Sequence, residues 1–356
     1  MARRWTGSIA AATRRLGARA RVILRLPVSE RSVDPLAGAE HRSAAPPRRG
    51  GPVRRWLRRL GISLLAVFIT ATTCSLIFNA VSQPPRFLAP GFGAYVQVGS
   101  SAVHYETWGT GGTPIVLVPG FLESTTAWST VGPLLGEAHV VYAIDLPGYG
   151  YTRYTGAMTL RSTAALVHGF ITALHLDRPI LVGHSLGAAV IGSVALAYPQ
   201  SVGKVIFADG DGLKINLGPR WLRSLILASP YVTTLLRIGP HFTLLDKWLF
   251  RQVCGPLCSG PSSAQLDHWL RPLRQRSEEH ALHDLMVNSD YGLTPAQISA
   301  ISVPTAVIWG SDDQQGGSLS KTITNLHHPA VHIIHDTGHL TMIADPAAFA
   351  HAVLSS

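Results

Sequence analysis

Beyond its first 60 residues, this sequence lacks an excess of charge of either sign. Residues 61–356 contain 15 Lys and Arg against 17 Asp and Glu, which gives a net charge of −2. A protein that binds a phosphate backbone needs a surplus of basic side chains. The body of the chain has no such surplus, so we expect no nucleic acid among its partners, although the whole sequence carries +10.

All of the positive excess lies in residues 1–60, which hold 15 Arg and three acidic residues and carry +12. This segment is rich in Arg, Ala, Pro and Gly and poor in aromatic residues. It therefore buries too little apolar surface to offset its ordering entropy. We predict an Arg-rich, mostly disordered cytoplasmic arm over residues 1–60, with a short basic helix over residues 10–26 as an alternative for that part.

Charge is absent altogether from residues 62–81. About 20 apolar residues in a helix cross the hydrocarbon core of a bilayer. Basic residues concentrated on one flank of such a run keep that flank in the cytoplasm, and Arg54, Arg55, Arg58 and Arg59 directly precede this one. We therefore predict a single-pass signal-anchor over residues 61–82, with the N-terminus cytoplasmic and the catalytic domain extracytoplasmic.

The alternative is a cleaved signal peptide, because Ala80-Val81-Ser82 has the small-x-small form of a cleavage site. A preceding segment of about 60 residues is far longer than signal peptides usually carry, which favours the anchor. Both interpretations export the body of the chain, either bound to the membrane or secreted.

From Tyr95 onward, short apolar runs alternate with helical patterns. Residues 95–98 and 103–108 predict an antiparallel hairpin. Further strands are predicted at 114–118, 140–144, 179–182, 205–207, 306–309 and 331–334, and helices at 160–174 and 188–197. Such alternation indicates βαβ units and a mostly parallel sheet. We assign residues 83–210 and 303–356 to this α/β core, and we find no internal repeat.

The alternation stops over residues 211–302, where the pattern becomes helical and the segment is too long for a plain loop. We predict an inserted helical cap over these residues. Its apolar side chains include Trp221, Leu225, Ile226, Trp248, Leu249, Trp269 and Leu270. They either line a pocket for an acyl or alkyl group or pack the cap against the core, and we expect packing for most of them.

Residues 183–187, Gly-His-Ser-Leu-Gly, stand between a predicted strand and a predicted helix. In that context the G-x-S-x-G pattern is typical of a strained turn that holds a serine hydroxyl clear of the backbone. The amide of Leu186 begins the helix, where unsatisfied N–H groups and the helix dipole favour an anion. We predict Ser185 as a nucleophile and the Leu186 N–H as one donor to an oxyanion.

With these residues the chain resembles the α/β-hydrolase superfamily, in its serine-nucleophile, esterase- and lipase-like branch that carries a cap. The resemblance covers about residues 95–354. It rests also on Val-Leu-Val-Pro-Gly-Phe at 116–121, Asp-Leu-Pro-Gly-Tyr-Gly at 145–150, the stretch from Ser302 to Asp313, and Thr-Gly-His at 337–339, all in family order. It implies an α/β-hydrolase fold with an inserted helical cap, and a hydrolase without a cofactor.

A serine nucleophile needs a base within hydrogen-bond reach, and the base needs an orienting acid. The resemblance implies His339 as the base, because it closes the loop after the last strand and the family order is Ser, acid, His. His184 adjoins the nucleophile, but we expect the turn to direct its side chain away. His332 and His335 lie three apart in a strand, hence on opposite faces, and we expect no metal site.

Four carboxylates are candidates for the orienting acid, namely Asp312 and Asp313 after one strand and Asp209 and Asp211 after another. The family spacing places the acid three residues after the glycine that ends the strand, here Gly310, and so implies Asp313. Asp209 and Asp211 lie among glycines at the entry to the cap, which suits a hinge.

The second oxyanion donor should come from the loop after residues 114–118. The family often has His-Gly in this loop, whereas this chain has Pro119-Gly120. The N–H of Phe121 is therefore the candidate donor. The sequence assigns no role to Glu123 or Ser124.

A serine nucleophile argues against epoxide opening and halide displacement, for which relatives use Asp. We expect a Ser–His–Asp hydrolase that forms an acyl-enzyme from a carboxylic ester of an apolar or lipid-like acid. A carbon–carbon bond hydrolase and a cofactor-free haloperoxidase-like enzyme are alternatives with the same triad. A non-catalytic, membrane-tethered binding protein on a hydrolase scaffold is the alternative of another class.

Cysteine occurs three times. Cys74 lies in the predicted anchor and should stay free. Cys254 and Cys258 flank a Gly-Pro turn on the predicted extracytoplasmic side, where disulfides persist. We predict that these two form a disulfide, with two unpaired thiols as the alternative, because a bridge needs Cα atoms within about 7 Å.

Overall fold

The computed structural model describes residues 51–215, 218–287 and 291–356. Most of the predicted disordered arm, including the alternative helix over residues 10–26, lies outside these ranges. The chain divides into two units, Met1–Arg58 and Arg59–Ser356. Of the first unit, the structure describes only residues 51–58, and the architecture below is that of the second.

The first helix, α1, spans Pro52–Val81 and so begins ten residues before the charge-free run. Residues 52–60, which we assigned to the disordered arm, are therefore helical. Proline suits the first turn of a helix, and Arg and Leu favour its interior. By length and composition alone, α1 is able to cross a membrane, and no other helix in the described part of the chain is.

The described residues contain a sheet of eight strands in the order β1-β2-β4-β3-β5-β6-β7-β8. The strands are β1 (Ala94–Val98), β2 (Ser101–Trp108), β3 (Ile115–Val118), β4 (Val141–Ile144), β5 (Ile180–His184), β6 (Lys204–Ala208), β7 (Thr305–Gly310) and β8 (Ala330–Ile334). β2 pairs antiparallel with β1 and β4, and all other pairs are parallel. The structure thus confirms the predicted fold class, including the antiparallel opening hairpin.

Helices cover both faces of the sheet, so the central strands are apolar on both sides. Within β3, Val116 and Val118 pack on the face of α3 (Leu160–Ala173) and α4 (Leu186–Ala197). Ile115 and Leu117 face the other way, toward α2 (Val131–Leu135), α12 (Thr341–Ala344) and α13 (Pro346–Leu354). A further helix, α11 (Leu319–Asn325), lies between β7 and β8.

Between β6 and β7 the described residues form helices and no strand. The helices are α5 (Arg220–Leu227), α6 (Pro230–Ile238), α7 (Thr243–Cys254), α8 (Ser263–Leu270), α9 (Arg276–Val287) and α10 (Pro295–Ser299). The last part of this segment packs into the core, where Leu293, Ile298 and Ile301 are buried in the cluster around α3 and α4. The remainder, over α5–α9, is called the cap below.

The expectation that most apolar cap residues pack against the core is wrong for α5 and α7. Trp221, Leu225 and Ile226 on α5, and Trp248 and Leu249 on α7, are all exposed. On the opposite side of α5, Arg223 is buried. Cys254 at the end of α7 is fully buried.

Polar groups join α1 to α6. The Thr72 hydroxyl lies 2.5 Å from that of Tyr231, and the Ser75 hydroxyl 2.5 Å from that of Thr234. The guanidinium of Arg237 donates to the carbonyl oxygens of Asn79 and Ser82 at 2.6 and 2.7 Å. The last half of α1 therefore carries a polar face that the cap satisfies, while its other faces are exposed.

Candidate active site

Ser185 lies in the turn between β5 and α4, with backbone angles φ 50° and ψ −114°. A non-glycine residue at positive φ is strained, and such strain is concentrated at functional sites. The turn is tight enough that a Cβ on Gly183 would clash with the backbone of Gly187, and one on Gly187 with that of Val118. The predicted strained turn is therefore present, and glycine is required on both sides of Ser185.

His339 connects Ser185 to a carboxylate across three separate parts of the chain. Its Nε2 lies 2.9 Å from the Ser185 Oγ, and its Nδ1 lies 3.1 Å from both carboxylate oxygens of Asp313. When Nδ1–H donates to Asp313, Nε2 is left as an acceptor for the Ser185 hydroxyl proton. The structure thus brings together the three residues that the sequence selected, in the order that proton transfer requires.

The carboxylate of Asp313 lies on the turn after β7 and is held there by backbone amides. Gln315 N–H donates to it at 2.7 Å and Gly316 N–H at 3.1 Å. Burial raises the pKa of Asp313, but the hydrogen bond and charge of His339, together with these amides, outweigh burial and hold the pKa below its usual value. The neighbouring Asp312 is exposed and has no contact with His339.

The two earlier carboxylates do not orient His339, and neither forms a simple hinge. Asp209 is fully buried, accepts the Gly310 N–H at 2.8 Å and the Thr341 hydroxyl, and so fixes the end of β7. Burial raises its pKa to about 6. Asp211 accepts the backbone amides of Leu213 and Ser318. Both residues brace the backbone around Asp313 rather than free it to move.

Two backbone amides near Ser185 are the predicted oxyanion donors, those of Leu186 and Phe121. Leu186 is the first residue of α4, so its N–H is among those that lack an acceptor within the helix. The Phe121 N–H has no acceptor among the described residues. The loop that carries Phe121 is fixed by a hydrogen bond from the Gly120 N–H to the Glu123 carboxylate at 2.7 Å.

The sequence did not reveal the role of Glu123, which is to hold His184. His184 Nδ1 lies 2.9 Å from the Glu123 Oε2, and His184 Nε2 lies 2.6 Å from the backbone carbonyl of His339. The pair connects the loop of Phe121, the turn of Ser185 and the loop of His339. Glu123 and His184 are 61 positions apart, so no local spacing in the sequence could have shown that they pair. The signals in the sequence were an acidic residue in an apolar loop and a histidine beside Ser185.

His184 is a buried cation in this arrangement. A carboxylate and a carbonyl oxygen both accept hydrogen bonds, so both ring nitrogens must donate. Burial lowers the pKa of His184, but the charge and hydrogen bond of Glu123, the charge of Asp209 and the His339 carbonyl together outweigh burial and raise the pKa to about 9.

The loop that carries His339 is bonded to the end of α7. The His339 N–H donates to the Val253 carbonyl at 2.7 Å, and the Gly338 N–H to the Cys254 carbonyl at 2.9 Å. Cys254 and Cys258 form a disulfide with Cα atoms 5.7 Å apart, as predicted, and Cys74 is free. A loop of the cap closed by a disulfide thus supports the backbone of the base.

An apolar cluster lies beside Phe121 and Leu186. The Phe121 ring packs edge-to-face against Tyr149 at 5.2 Å between ring centroids. The same cluster contains Met158 from the core and Ala281 and Leu285 from α9, together with Leu122, Leu186 and Tyr291. The face of α9 that lies next to Phe121 and Leu186, the two candidate oxyanion donors, is therefore apolar.

Comparisons with known proteins agree with this fold. A sequence model of the alpha/beta hydrolase family matches residues 115–352. The chain is 27% identical over 274 residues to the uncharacterized hydrolase YugF of Bacillus subtilis (strain 168), covering 74% of this chain and 93% of that protein. It is 26% identical over 267 residues to a 2-hydroxy-6-oxononadienedioate/2-hydroxy-6-oxononatrienedioate hydrolase of Cupriavidus pinatubonensis (strain JMP 134 / LMG 1197), covering 71% and 89%.

A solved structure of a membrane phospholipase A, described as a bacterial virulence factor, has a similar fold. Its TM-score with this chain is 0.58 at 21% identity, and the match covers 85% of this chain and 98% of that one. At this identity the likeness concerns the fold alone.

Proposed function

The chain belongs to the alpha/beta hydrolase family, and on that premise we propose that it is a serine hydrolase that acts through an acyl-enzyme on Ser185. The observation that carries the proposal is the continuous hydrogen-bonded chain from Ser185 Oγ through His339 to Asp313, at 2.9 and 3.1 Å. A nucleophile within reach of a base that is itself oriented by a buried acid is the arrangement that nucleophilic acyl transfer needs.

In the first half-reaction, His339 Nε2 takes the hydroxyl proton of Ser185 as Oγ attacks the ester carbonyl carbon. The resulting oxyanion is stabilised by the amides of Phe121 and Leu186, which do not have to reorganise. Asp313 stabilises the imidazolium, which then gives its proton to the departing alkoxide. The ester carbon–oxygen bond breaks, the alcohol leaves, and the acyl group stays on Ser185.

In the second half-reaction, a water molecule takes the place of the alcohol. His339 removes one of its protons while the oxygen attacks the acyl carbon. The imidazolium then returns the proton to Ser185 Oγ as the carboxylic acid leaves. The same three side chains therefore serve both steps, with the base acting as an acid in the second part of each.

We propose an apolar or lipid-like acid as the acyl group of the substrate. The support is the apolar cluster beside the proposed oxyanion donors, in which Phe121, Leu122 and Leu186 are only partly buried and leave apolar surface accessible. An apolar acyl chain that leaves water for such a surface gains roughly 0.8 kcal/mol per buried methylene. This gain should make turnover rise with acyl chain length until the available surface is filled.

We further propose that α1 is a retained membrane anchor, with the Arg-rich arm in the cytoplasm and residues 83–356 outside. The charge-free run and the Arg residues before it support this topology. The hydrogen bonds from Thr72 and Ser75 to α6 favour retention over cleavage. Cleavage near Ser82 would remove these partners and leave polar groups of the cap without them.

Hydrolysis of a carbon–carbon bond is the second candidate, because the relative from Cupriavidus pinatubonensis carries the name of a hydrolase that acts on a 2-hydroxy-6-oxo dienedioate or trienedioate. The same Ser185, His339 and Asp313 would serve that reaction. The two candidates differ in the group that leaves, which is an alkoxide in one case and a carbon acid in the other.

A fluorophosphonate probe on the full-length protein in detergent tests the serine hydrolase proposal. We expect covalent labelling that is lost in Ser185→Ala and in no variant of an exposed serine such as Ser320→Ala. No labelling of folded protein would instead support a non-catalytic binding protein on the hydrolase scaffold.

A series of chromogenic esters with acyl chains from two to sixteen carbons tests the substrate class. We expect kcat/KM to rise with chain length over the first members. A flat or falling series, together with turnover of a 2-hydroxy-6-oxo dienedioate, would transfer the proposal to the carbon–carbon bond hydrolase.

A further inference from the structure

The cap presents an unusual surface, because α5 and α7 each expose one continuous apolar face. On α5, Trp221 is 69% exposed and Leu225 65% exposed. On α7, Leu244 is 87% exposed and Trp248 57% exposed. On both helices the exposed apolar residues follow the spacing i, i+1, i+4, i+5, which places them on one face. These residues, with the exposed Phe242 and Leu235, are called the apolar cap surface below.

Helix α5 exposes its apolar face and buries a charged residue, the reverse of a helix on a soluble protein. Arg223, on the face opposite Trp221 and Leu225, is only 5% exposed. A helix on the surface of a soluble domain normally buries its apolar face and exposes its charges. This arrangement is favourable at the interface of a bilayer, where exposed tryptophan and leucine side chains are in contact with lipid.

The proposed anchor shows where this surface lies along the membrane normal. The hydrogen bonds between α6 and this part of the chain reach residues from Phe68 to Ser82, in the second half of α1 and directly after its end. Asn79 Nδ2 donates to the Pro230 carbonyl at 2.8 Å, so the start of α6 lies beside Asn79. Since a helix rises 1.5 Å per residue, Ser75 lies roughly 9 Å inside the end of the run at Val81.

The anchor has little freedom to slide outward and lift α6 clear of the lipid. The charge-free run of 20 residues is about 30 Å long, which matches the hydrocarbon core. An outward shift of two turns would draw Arg58 and Arg59 into that core, which is strongly unfavourable. The contact region of α6 therefore lies within the outer leaflet, and α5 packs directly against α6.

From these observations, and resting on the proposed anchor, we propose that the cap is a second membrane-embedded element. The apolar faces of α5 and α7 lie among the acyl chains of the extracytoplasmic leaflet. Interfacial helices bury their apolar face about 5–10 Å deep, which agrees with the depth that the α1–α6 contacts give.

This position connects the lipid to the active site through one helix. The first turn of α7 contains Leu244, which is 87% exposed, and the helix ends at Val253 and Cys254, whose carbonyls bond the loop of His339. Nine residues separate Leu244 from Val253, about 14 Å along the helix. The enzyme should therefore prefer esters that reside in the leaflet over esters that are dissolved in water.

The depth of the cap can be measured with a fluorescent label. The full-length protein carrying Cys74→Ala, labelled with NBD at Leu244→Cys or Trp221→Cys, is placed in vesicles of palmitoyl-oleoyl phosphatidylcholine. Leu65→Cys in the anchor and Leu354→Cys on the core serve as matched controls, since both native leucines are exposed. Doxyl-labelled phosphatidylcholine quenches label in the lipid, and iodide quenches label in water.

We expect doxyl quenching at 244, 221 and 65, and iodide quenching at 354 alone. Iodide quenching at 244 and 221, with doxyl quenching at 65, would overturn the insertion of the cap and leave the anchor standing. Iodide quenching at 65 as well would overturn the anchor and the cap insertion together. Protection of 244 from both quenchers would overturn the inference in favour of a protein partner, such as a second copy of the chain.

Activity gives an independent test. The double variant Leu244→Glu, Trp248→Glu should lose at least tenfold in turnover of a long-chain ester held in the same vesicles. It should retain full turnover of a water-soluble acetate ester, and full fluorophosphonate labelling of Ser185, which shows that it is folded. Unchanged turnover of the vesicle-bound ester would contradict the inference.

Discussion

The core and the cap of this protein follow opposite rules of burial. In the described part of the core, the large apolar side chains left exposed are Tyr95, Val331, Ile333 and Leu354. In the cap and its flanks they include Trp221, Leu222, Leu225, Ile226, Leu235, Phe242, Leu244, Leu245, Trp248, Leu249 and Leu257. Large exposed apolar patches are rare on monomeric soluble proteins and mark interaction surfaces.

Buried charge shows the same contrast. In the core, the carboxylates of Asp145, Glu123 and Asp209 are buried and each accepts hydrogen bonds. In the cap, Glu278 and Arg223 are buried, and among the described residues no group bonds either oxygen of Glu278 or two of the nitrogens of Arg223. The core buries its apolar side chains and bonds its buried charges, as a protein in water does. The cap exposes apolar side chains and buries part of its charge.

The first prediction concerns the core, where the largest effect is expected. Asp313→Asn should lower kcat by up to about 10⁴, the scale on which a serine protease triad loses activity when its acid is changed. The amide cannot stabilise the imidazolium, and it favours the wrong tautomer of His339. Steady-state kinetics on a chromogenic ester measures the loss.

The matched control is the neighbouring Asp312→Asn, which changes an exposed carboxylate with no bond to His339. It should leave kcat within about twofold, because surface substitutions away from a site have small effects. Collapse of activity in Asp209→Asn with normal activity in Asp313→Asn would move the acid to β6 and contradict the assignment.

The second prediction concerns the buried pair of the core, His184 and Glu123. The pKa of His184 is raised from 6.5 to about 9 in the folded protein. A raised pKa contributes stability that is fully present below pH 6.5 and is lost as pH rises through about 9. The free energy of unfolding should therefore fall by up to about 3 kcal/mol over this range.

Thermal unfolding of the full-length protein in detergent, followed from pH 6 to 10, tests this expectation. Glu123→Gln removes the charge that holds the proton on His184, so its stability should be lower at pH 6 and nearly independent of pH above 6.5. Glu137→Gln, at an exposed position, should retain the slope of the native protein. Equal slopes in Glu123→Gln and the native protein would contradict a buried imidazolium.

The sequence predicts the site in the core better than the surface of the cap, and the reason is physical. The positions of Ser185, His339 and Asp313 follow from short motifs, because strand ends and tight turns impose glycines and spacings that are local. The pair of Glu123 and His184 depends on two loops that meet only in the fold. Local pattern therefore identified the three residues that meet at the candidate site but not the contacts that hold them.

For the cap, the sequence identified helical faces but not their direction. The spacing of Leu244, Leu245, Trp248 and Leu249 defines one apolar face of α7. Periodicity alone does not say whether that face meets the core, a membrane or another protein. We expected packing against the core because water is the usual solvent, and the structure reverses that expectation for α5 and α7.

The third prediction concerns the contact between the end of α7 in the cap and the loop of His339 in the core. Replacing the disulfide by Cys254→Ser, Cys258→Ser should loosen the loop that accepts hydrogen bonds from His339 and Gly338. Each such bond is worth about 1 kcal/mol, so we expect kcat/KM to fall by about fivefold to thirtyfold. Cys74→Ser is the matched control and should keep full activity, since Cys74 is free and exposed.

Reduction of the native protein should reproduce the effect of the double variant. If the variant and the reduced protein both keep full activity, the cap loop does not position His339, and the two regions are functionally separate at this point.

The last and smallest effect is expected within the cap, at Glu278. Burial raises the pKa of this carboxyl well above its usual value, and no group among the described residues bonds its oxygens. A raised pKa means that its contribution to stability is present below the unfolded value, about 4.3, and is lost as pH rises toward the folded value. At pH 8 the native protein should therefore be weakened by this group.

Glu278→Met fills a similar volume without a polar group, so we expect it to raise the free energy of unfolding by roughly 1 kcal/mol at pH 8. The gain should be smaller at pH 5, and detergent-solubilised protein in a thermal melt suffices to measure both. The neighbour Glu279 provides a control of opposite sign, because it pairs with Arg237 at 2.5 Å and Glu279→Met should destabilise the protein. A loss of stability in Glu278→Met would mean that the carboxyl has a partner in solution. In that case the charge buried in the cap would be as well satisfied as the charge in the core, and the contrast between the two regions would rest on the apolar cap surface alone.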